Sequence, residues 1–251
     1  MSDLPQRIAA IHERIETACK RAGRPVGSVK LMAVSKTHPP ETIAKSYRAG
    51  LRLFGENRVQ EFSTKKELLP LAEMKDARWH LIGHLQSNKA QRAIEFFDGI
   101  DVVDSLRLAE RLNAVAEKEN RKLPILLQIN VGDEAQKTGF APISRELEDL
   151  LRAAEQLGSL EIRGLMTVPP FRADPEEVRP FFRMLRELRE DVARRKLPRI
   201  SMDELSMGMS HDFEIAIEEG ATCVRVGSAI FGERSSTKPK LAPSLKSKPE
   251  P

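Results

Sequence analysis

Val29-Lys30-Leu31-Met32-Ala33-Val34-Ser35-Lys36-Thr37-His38-Pro39-Pro40 is the stretch that decides the fold. Its first half is a short, nearly continuous apolar run, the pattern of a strand buried on both faces. The turn after it, Val34-Ser35-Lys36-Thr37-His38-Pro39, has no glycine. An open doubly wound sheet usually announces itself there with a Gly-rich phosphate fingerprint. The run also recurs. Apolar segments fall at 51–54, 78–82, 100–103, 124–130, 161–168, 204–206 and 222–226, separated by helical patterns near 40–49, 58–73, 87–96, 105–119, 143–157, 175–195 and 211–219. Strands that alternate with helices form a parallel sheet. Eight such units in about 210 residues suit a closed barrel at the short end of its size range. The fold class expected is therefore α/β, a single (β/α)8 TIM barrel. An extra helix precedes it: Leu4, Ile8, Ile11, Ile15 and Ala18 lie on one helical face, ended by Gly23 and Pro25.

The 251 residues carry a net charge of +4 and a pI near 9.1, which at first suggests nucleic acid. That charge is local. Arg234, Lys238, Lys240, Lys246 and Lys248 face only Glu250 in 234–251, leaving 36 basic and 36 acidic groups elsewhere. The expectation is a barrel domain over 1–233 and a basic, disordered, Pro- and Ser-rich tail over 234–251, with no nucleic-acid partner. The two cysteines, Cys19 and Cys223, cannot build a disulfide scaffold. No apolar stretch is long enough to span a bilayer, and Met1-Ser2-Asp3-Leu4-Pro5 lacks a secretory pattern. A cytoplasmic protein without a membrane partner is expected.

In such a barrel the chemistry lies at the carboxyl ends of the strands. There the sequence offers Lys36, then Glu56 and Asn57, His84, Asp104, Asn130, Thr167, Ser206 to Ser210, and Arg225 to Ser228. Lys36 ends a buried-looking run, and a partly desolvated lysine supplies the neutral amine that attacks aldehydes. Arg225 sits between Val224 and Val226, so a buried charge there calls for a partner. Ser206-Met207-Gly208-Met209-Ser210 and Gly227-Ser228 combine glycines, hydroxyls and helix starts after the last two strands, the usual place for a barrel phosphate cradle. His80 and His84 lack a third metal ligand and read as a core and a rim histidine, so no metal is expected. Glu56 reads as the partner of a nearby cation.

Six ordered motifs then resemble one family: Ala33-Val34-Ser35-Lys36-Thr37; Phe54-Gly55-Glu56-Asn57-Arg58-Val59-Gln60-Glu61; Trp79 to Lys89; Arg163-Gly164-Leu165-Met166-Thr167; Leu205 to Ser210; and Val224 to Gly232. They resemble the pyridoxal phosphate homeostasis proteins, fold-type III barrels similar to the N-terminal domain of alanine racemase. The resemblance implies pyridoxal 5′-phosphate (PLP) as cofactor, held by Lys36 as a Schiff base. It implies Ser210, Gly227 and Ser228 at the phosphate, Arg225 against the cofactor, and Asn57 and Ser206 in the pocket. It implies a role in PLP buffering and delivery that influences amino-acid and keto-acid balance, with apo-PLP enzymes as recipients.

The alternative is a PLP-dependent amino-acid racemase. That chemistry wants acid/base groups on both faces of the substrate. Lys36 serves one face; in the resembling racemases a tyrosine from a second domain serves the other. Here the chain is expected to end in a tail, and its one tyrosine, Tyr47, falls in the first barrel helix. A monomeric carrier with no catalytic residue is the expectation.

Overall fold

The computed structural model describes residues 3–132, 134 and 138–232. The helix α1 (Leu4–Arg21) starts under a reciprocal cap in which the Asp3 carboxylate accepts from the Gln6 N–H and the Gln6 side chain accepts from the Asp3 N–H. It buries Ile8, Ile11, Ile15, Ala18 and Cys19. Eight strand–helix units follow: β1 (Lys30–Val34) and α2 (Pro40–Arg48); β2 (Leu53–Glu56) and α3 (Val59–Leu68); β3 (Arg78–Leu81) and α4 (Ala90–Phe96); β4 (Gly99–Val103) and α5 (Leu106–Lys118); β5 (Leu123–Gln128) and α6 (Arg145–Ala153); β6 (Leu160–Met166) and α7 (Arg179–Arg194); β7 (Ile200–Ser206) and α8 (Phe213–Glu218); β8 (Cys223–Val226) and the short α9 (Ser228–Phe231).

The eight parallel strands pair in chain order and close into a barrel, β8 returning to β1 with Met32 beside Arg225 and Ala33 beside Val226. Successive side chains point alternately into the barrel and out to the helices. The outward layer is apolar: Phe54, Phe62, Trp79 and Phe97 pack with ring centroids 4.7–5.0 Å apart.

The expected strands and helices are present with shifted ends. The helix expected over 58–73 stops at Leu68, because Leu69 precedes Pro70 and turns to extended backbone. The first turn expected over 175–195 is 3₁₀, over Pro175–Val178. The strand expected at 204–206 runs over Ile200–Ser206; Met202 lies at φ 57° and the pairing with β6 shifts register, so a bulge hides its alternation. Ser105 and Ser144 cap α5 and α6 through their hydroxyls, as their positions predict. No helix among the described residues is long and apolar enough to cross a membrane. The tail over 234–251 and the domain limit at 233 fall outside the described residues.

Candidate functional site

Register places the candidates on one rim. Val34 pairs with Gly55, and Ser35 N–H donates to the Gly55 carbonyl. Lys36 and Asn57 lie two residues beyond that pair, so both leave adjacent strands on the barrel's inner side. Each is half-buried. Behind Asn57 the backbone packs so closely that a Cβ on Gly83 would fall 2.4 Å from the Asn57 carbonyl oxygen; only glycine fits there.

The residues flanking Lys36 are held from outside the barrel. Ser35 donates its hydroxyl to Glu56 at 2.7 Å. Lys65 on α3 donates to the Ser35 carbonyl and to both Glu56 oxygens, each at 3.1 Å. Lys65 also pairs with Glu61 one turn earlier at 2.7 Å, and Glu61 accepts the Thr37 N–H at 2.6 Å. Burial pushes the Glu56 carboxyl up, partly countered by Lys65. Burial acts the same way on Glu61, but bonds from Lys65 and Thr37 outweigh it and leave that carboxyl below its ordinary value. Thr37 adopts φ 65°, a region β-branched residues avoid. The His38 ring, 4.5 Å from that of Phe231, ties this loop to α9.

Across the rim, β7 and β8 supply polar groups. Arg225 is fully buried, and its guanidinium donates to the Ser206 hydroxyl at 2.8 Å and to the Thr167 carbonyl at 2.7 Å. Burial lowers its pKa from the ordinary value. Among the described residues no carboxylate forms an ion pair with it. Ser210 turns its hydroxyl oxygen toward two backbone N–H groups, those of Gly227 at 3.3 Å and Ala229 at 3.4 Å. Ser228 lies between them, exposed at the start of α9. The loop before α8 is shaped by Gly208 at φ 93°, where a Cβ would come within 2.6 Å of the Ala216 Cβ, and by Asp212, which accepts the Met209 N–H at 2.6 Å. Burial raises the Asp212 carboxyl, with the Met209 bond opposing.

The structure thus gathers Ser206 with Arg225 and Ser210 with Gly227, and sets Lys36 and Asn57 on strands close by. Thr167, expected on the rim, takes part through its backbone carbonyl, and Asp212 is an addition. A carbonyl leaves no mark in sequence, but Asp212 just ahead of a helix is a recognisable capping signal. His84 bonds Asp104 at 3.1 Å on the rim, and His80 bonds Asp101 at 2.8 Å within the barrel. Among the described residues no cluster of three or more ligating side chains could hold a metal. A cavity of about 520 Å³ opens at the opposite, amino end, lined by Lys30, Arg78, His80, Asp101, Glu204 and Cys223 among others. Several of its charges are already matched, Lys30 by Glu204 and His80 by Asp101, and burial pushes the Cys223 thiol up to about 12, so it is not a nucleophile at neutral pH.

The rim can hold an anion at the Ser210–Gly227–Ala229 cradle, place a buried cation deep in the pocket, and offer an amine from Lys36. Those donors fit a phosphorylated aldehyde. The family model for the alanine racemase N-terminal domain matches residues 7–235. A protein of Aquifex aeolicus (strain VF5) named pyridoxal phosphate homeostasis protein is 45% identical over 229 residues, covering 91% of this chain and 97% of its own. The structure of PipY of Synechococcus elongatus PCC7942 with PLP bound superposes with a TM-score of 0.78 at 39% identity, over 92% of this chain and 100% of that one. Alanine racemase of Clostridium difficile 630 shares the fold alone, with a TM-score of 0.65 at 15% identity over 90% of this chain and 57% of its own.

Proposed function

The chain belongs to the pyridoxal phosphate homeostasis protein family, and we propose that it binds PLP, held as a Schiff base by Lys36, and buffers and delivers it to apo-enzymes in the cytoplasm. The observation that carries this reading is the pair of N–H groups of Gly227 and Ala229 converging on Ser210, beside the strand that leads into Lys36. When bound, PLP supplies an aldehyde that condenses with a neutral amine and releases water. The protein's part is to hold and to orient. Ser210 and the N–H groups around Gly227 and Ser228 would receive the phosphate, Asn57 and Ser206 would line the pocket, and Arg225 would contact the cofactor. A guanidinium has donors only, so it neither takes a proton from the ring nor gives one up at neutral pH. That suits retention better than carbanion chemistry.

A racemase reading is not favoured. Within this chain the only tyrosine, Tyr47, sits on α2 with its hydroxyl bonded to Asp76, which leads into the amino end of β3. The likeness to alanine racemase extends to the fold. The test is an absorbance scan of purified protein, borohydride reduction, and mapping of the modified residue. Modification of Lys36 is expected; a colourless protein incubated with PLP, or modification elsewhere, refutes the assignment.

A further inference from the structure

The network around Glu56 has no task in cofactor binding as described above. It lies outside the barrel, under α3, while the pocket lies inside. It is also an odd stabiliser. Glu56 is fully buried and the Lys65 side chain only 10% exposed. Buried ion pairs of this kind are weak contributors to stability, and packed apolar residues often serve a fold as well or better. What the network does have is a common target. The Ser35 hydroxyl, the Ser35 carbonyl and the Thr37 N–H all bond to Glu56, Lys65 or Glu61. These are the two residues flanking Lys36. The third flank is internal, His38 N–H donating to the Ser35 carbonyl at 3.1 Å and closing the turn.

Thr37 gives the second reason. A β-branched residue at φ 65° persists only where its surroundings over-determine it. Two contacts do so: the His38 N–H bond that closes the turn over it, and the 2.6 Å bond from its own N–H to Glu61. Releasing the second leaves the turn held on one side only, and with it the direction in which residue 36 leaves β1.

Resting on the proposed tether at Lys36, we infer that Glu56, Lys65 and Glu61 are positioning residues that aim the Lys36 amine by clamping the backbone on both sides of it. Condensation of the Lys36 Nζ with an aldehyde forms a C=N bond, loses water and involves no redox change. The amine must therefore arrive neutral and at attack distance. A displacement of about 1 Å from a reactive geometry costs on the order of 100-fold in rate. The clamp fixes distance and direction, not affinity.

The experiment uses two variants of the full chain. Glu61→Leu removes the acceptor for Thr37 at a side chain that is partly exposed. The double variant Glu56→Gln with Lys65→Met removes both buried charges together, which avoids stranding either one. Three readouts separate the possibilities: the rate of PLP capture as a borohydride-stable adduct on Lys36, the affinity for pyridoxine 5′-phosphate (an alcohol that cannot be captured), and rescue by Glu61→Gln, which keeps an acceptor oxygen. Capture is expected to slow by about 10- to 100-fold in both variants, with pyridoxine 5′-phosphate affinity within about twofold of wild type and most of the rate restored in Glu61→Gln. Wild-type capture rates in both variants overturn the inference. So does a parallel loss of pyridoxine 5′-phosphate affinity, which marks general loosening of the barrel. If the wild-type protein forms no adduct on Lys36, the tether itself fails and the clamp loses its object.

Discussion

Arg225→Gln separates two quantities that usually move together, apo stability and cofactor retention. In the apo protein the Arg225 guanidinium makes two short bonds, to Ser206 and Thr167, in a fully buried place. Bonds from a charged donor are worth about 1.5–3 kcal/mol each, so their loss costs about 3–6 kcal/mol. Against that stands the desolvation of a buried cation with no ion-paired carboxylate among the described residues, several kcal/mol in the other direction. Asp101 and Asp212 favour the charge only at longer range. Glutamine keeps one donor group for Ser206 or Thr167. The terms nearly cancel, and the apo variant is expected within about 2 kcal/mol of wild type in urea denaturation. Retention has no such cancellation. Losing one charge-assisted bond to the cofactor, about 1.5–3 kcal/mol, weakens PLP binding by about 10- to 150-fold at 1.4 kcal/mol per tenfold. Equilibrium dialysis measures that constant directly. An unchanged dissociation constant refutes contact between Arg225 and the cofactor; an apo protein destabilised by well over about 4 kcal/mol refutes the balance of bond loss against desolvation.

Lys36→Ala is expected to abolish the visible absorbance of lysine-bound PLP while retaining weak phosphate-dependent binding; an unaltered spectrum removes Lys36 from the site. Gly208→Ala forces a Cβ to within 2.6 Å of Ala216 at φ 93°, and should cost about 1–3 kcal/mol of stability in chemical denaturation together with cofactor retention. Burial alone would depress the His80 pKa, but Asp101 outweighs burial and raises it above the ordinary 6.5. A histidine with a raised folded-state pKa adds stability that is complete below its unfolded value and fades as pH climbs through the folded one. The stability difference between wild type and His80→Gln is therefore expected to be larger at pH 5.5 than at about pH 9; a gap that grows with pH would reverse the assignment. Removal of residues 234–251 should leave PLP content unchanged, measured by absorbance of the protein purified with PLP, since no proposed binding residue lies there.

Local pattern carried most of the architecture. The alternation of apolar runs with helical periods, the glycine-free turn after Val34 and the cap residues Ser105 and Ser144 all act through neighbours in the chain, so the order of strands and helices was legible from the start. So was the rim: strand ends in a parallel barrel share one side, which puts Lys36, Asn57, Ser206 and Gly227 together without coordinates. Where local signals were weak the ends drifted, as at β7, whose bulge at Met202 breaks the alternation that would mark it.

The amino-acid order alone thus determined the eight-unit barrel, the amine at position 36 and the glycine–serine loops at β7 and β8, because each depends on spacing along a few residues. Only the closed tertiary structure decided which charges meet. Glu56 and Lys65 find each other because α3 folds back over the ends of β1 and β2, Arg225 reaches a carbonyl 58 positions away because β6 and β8 flank β7, and His80 meets Asp101 on the neighbouring strand β4. Such pairs follow from how each helix and strand packs on its neighbours, which leaves no periodic trace in the chain.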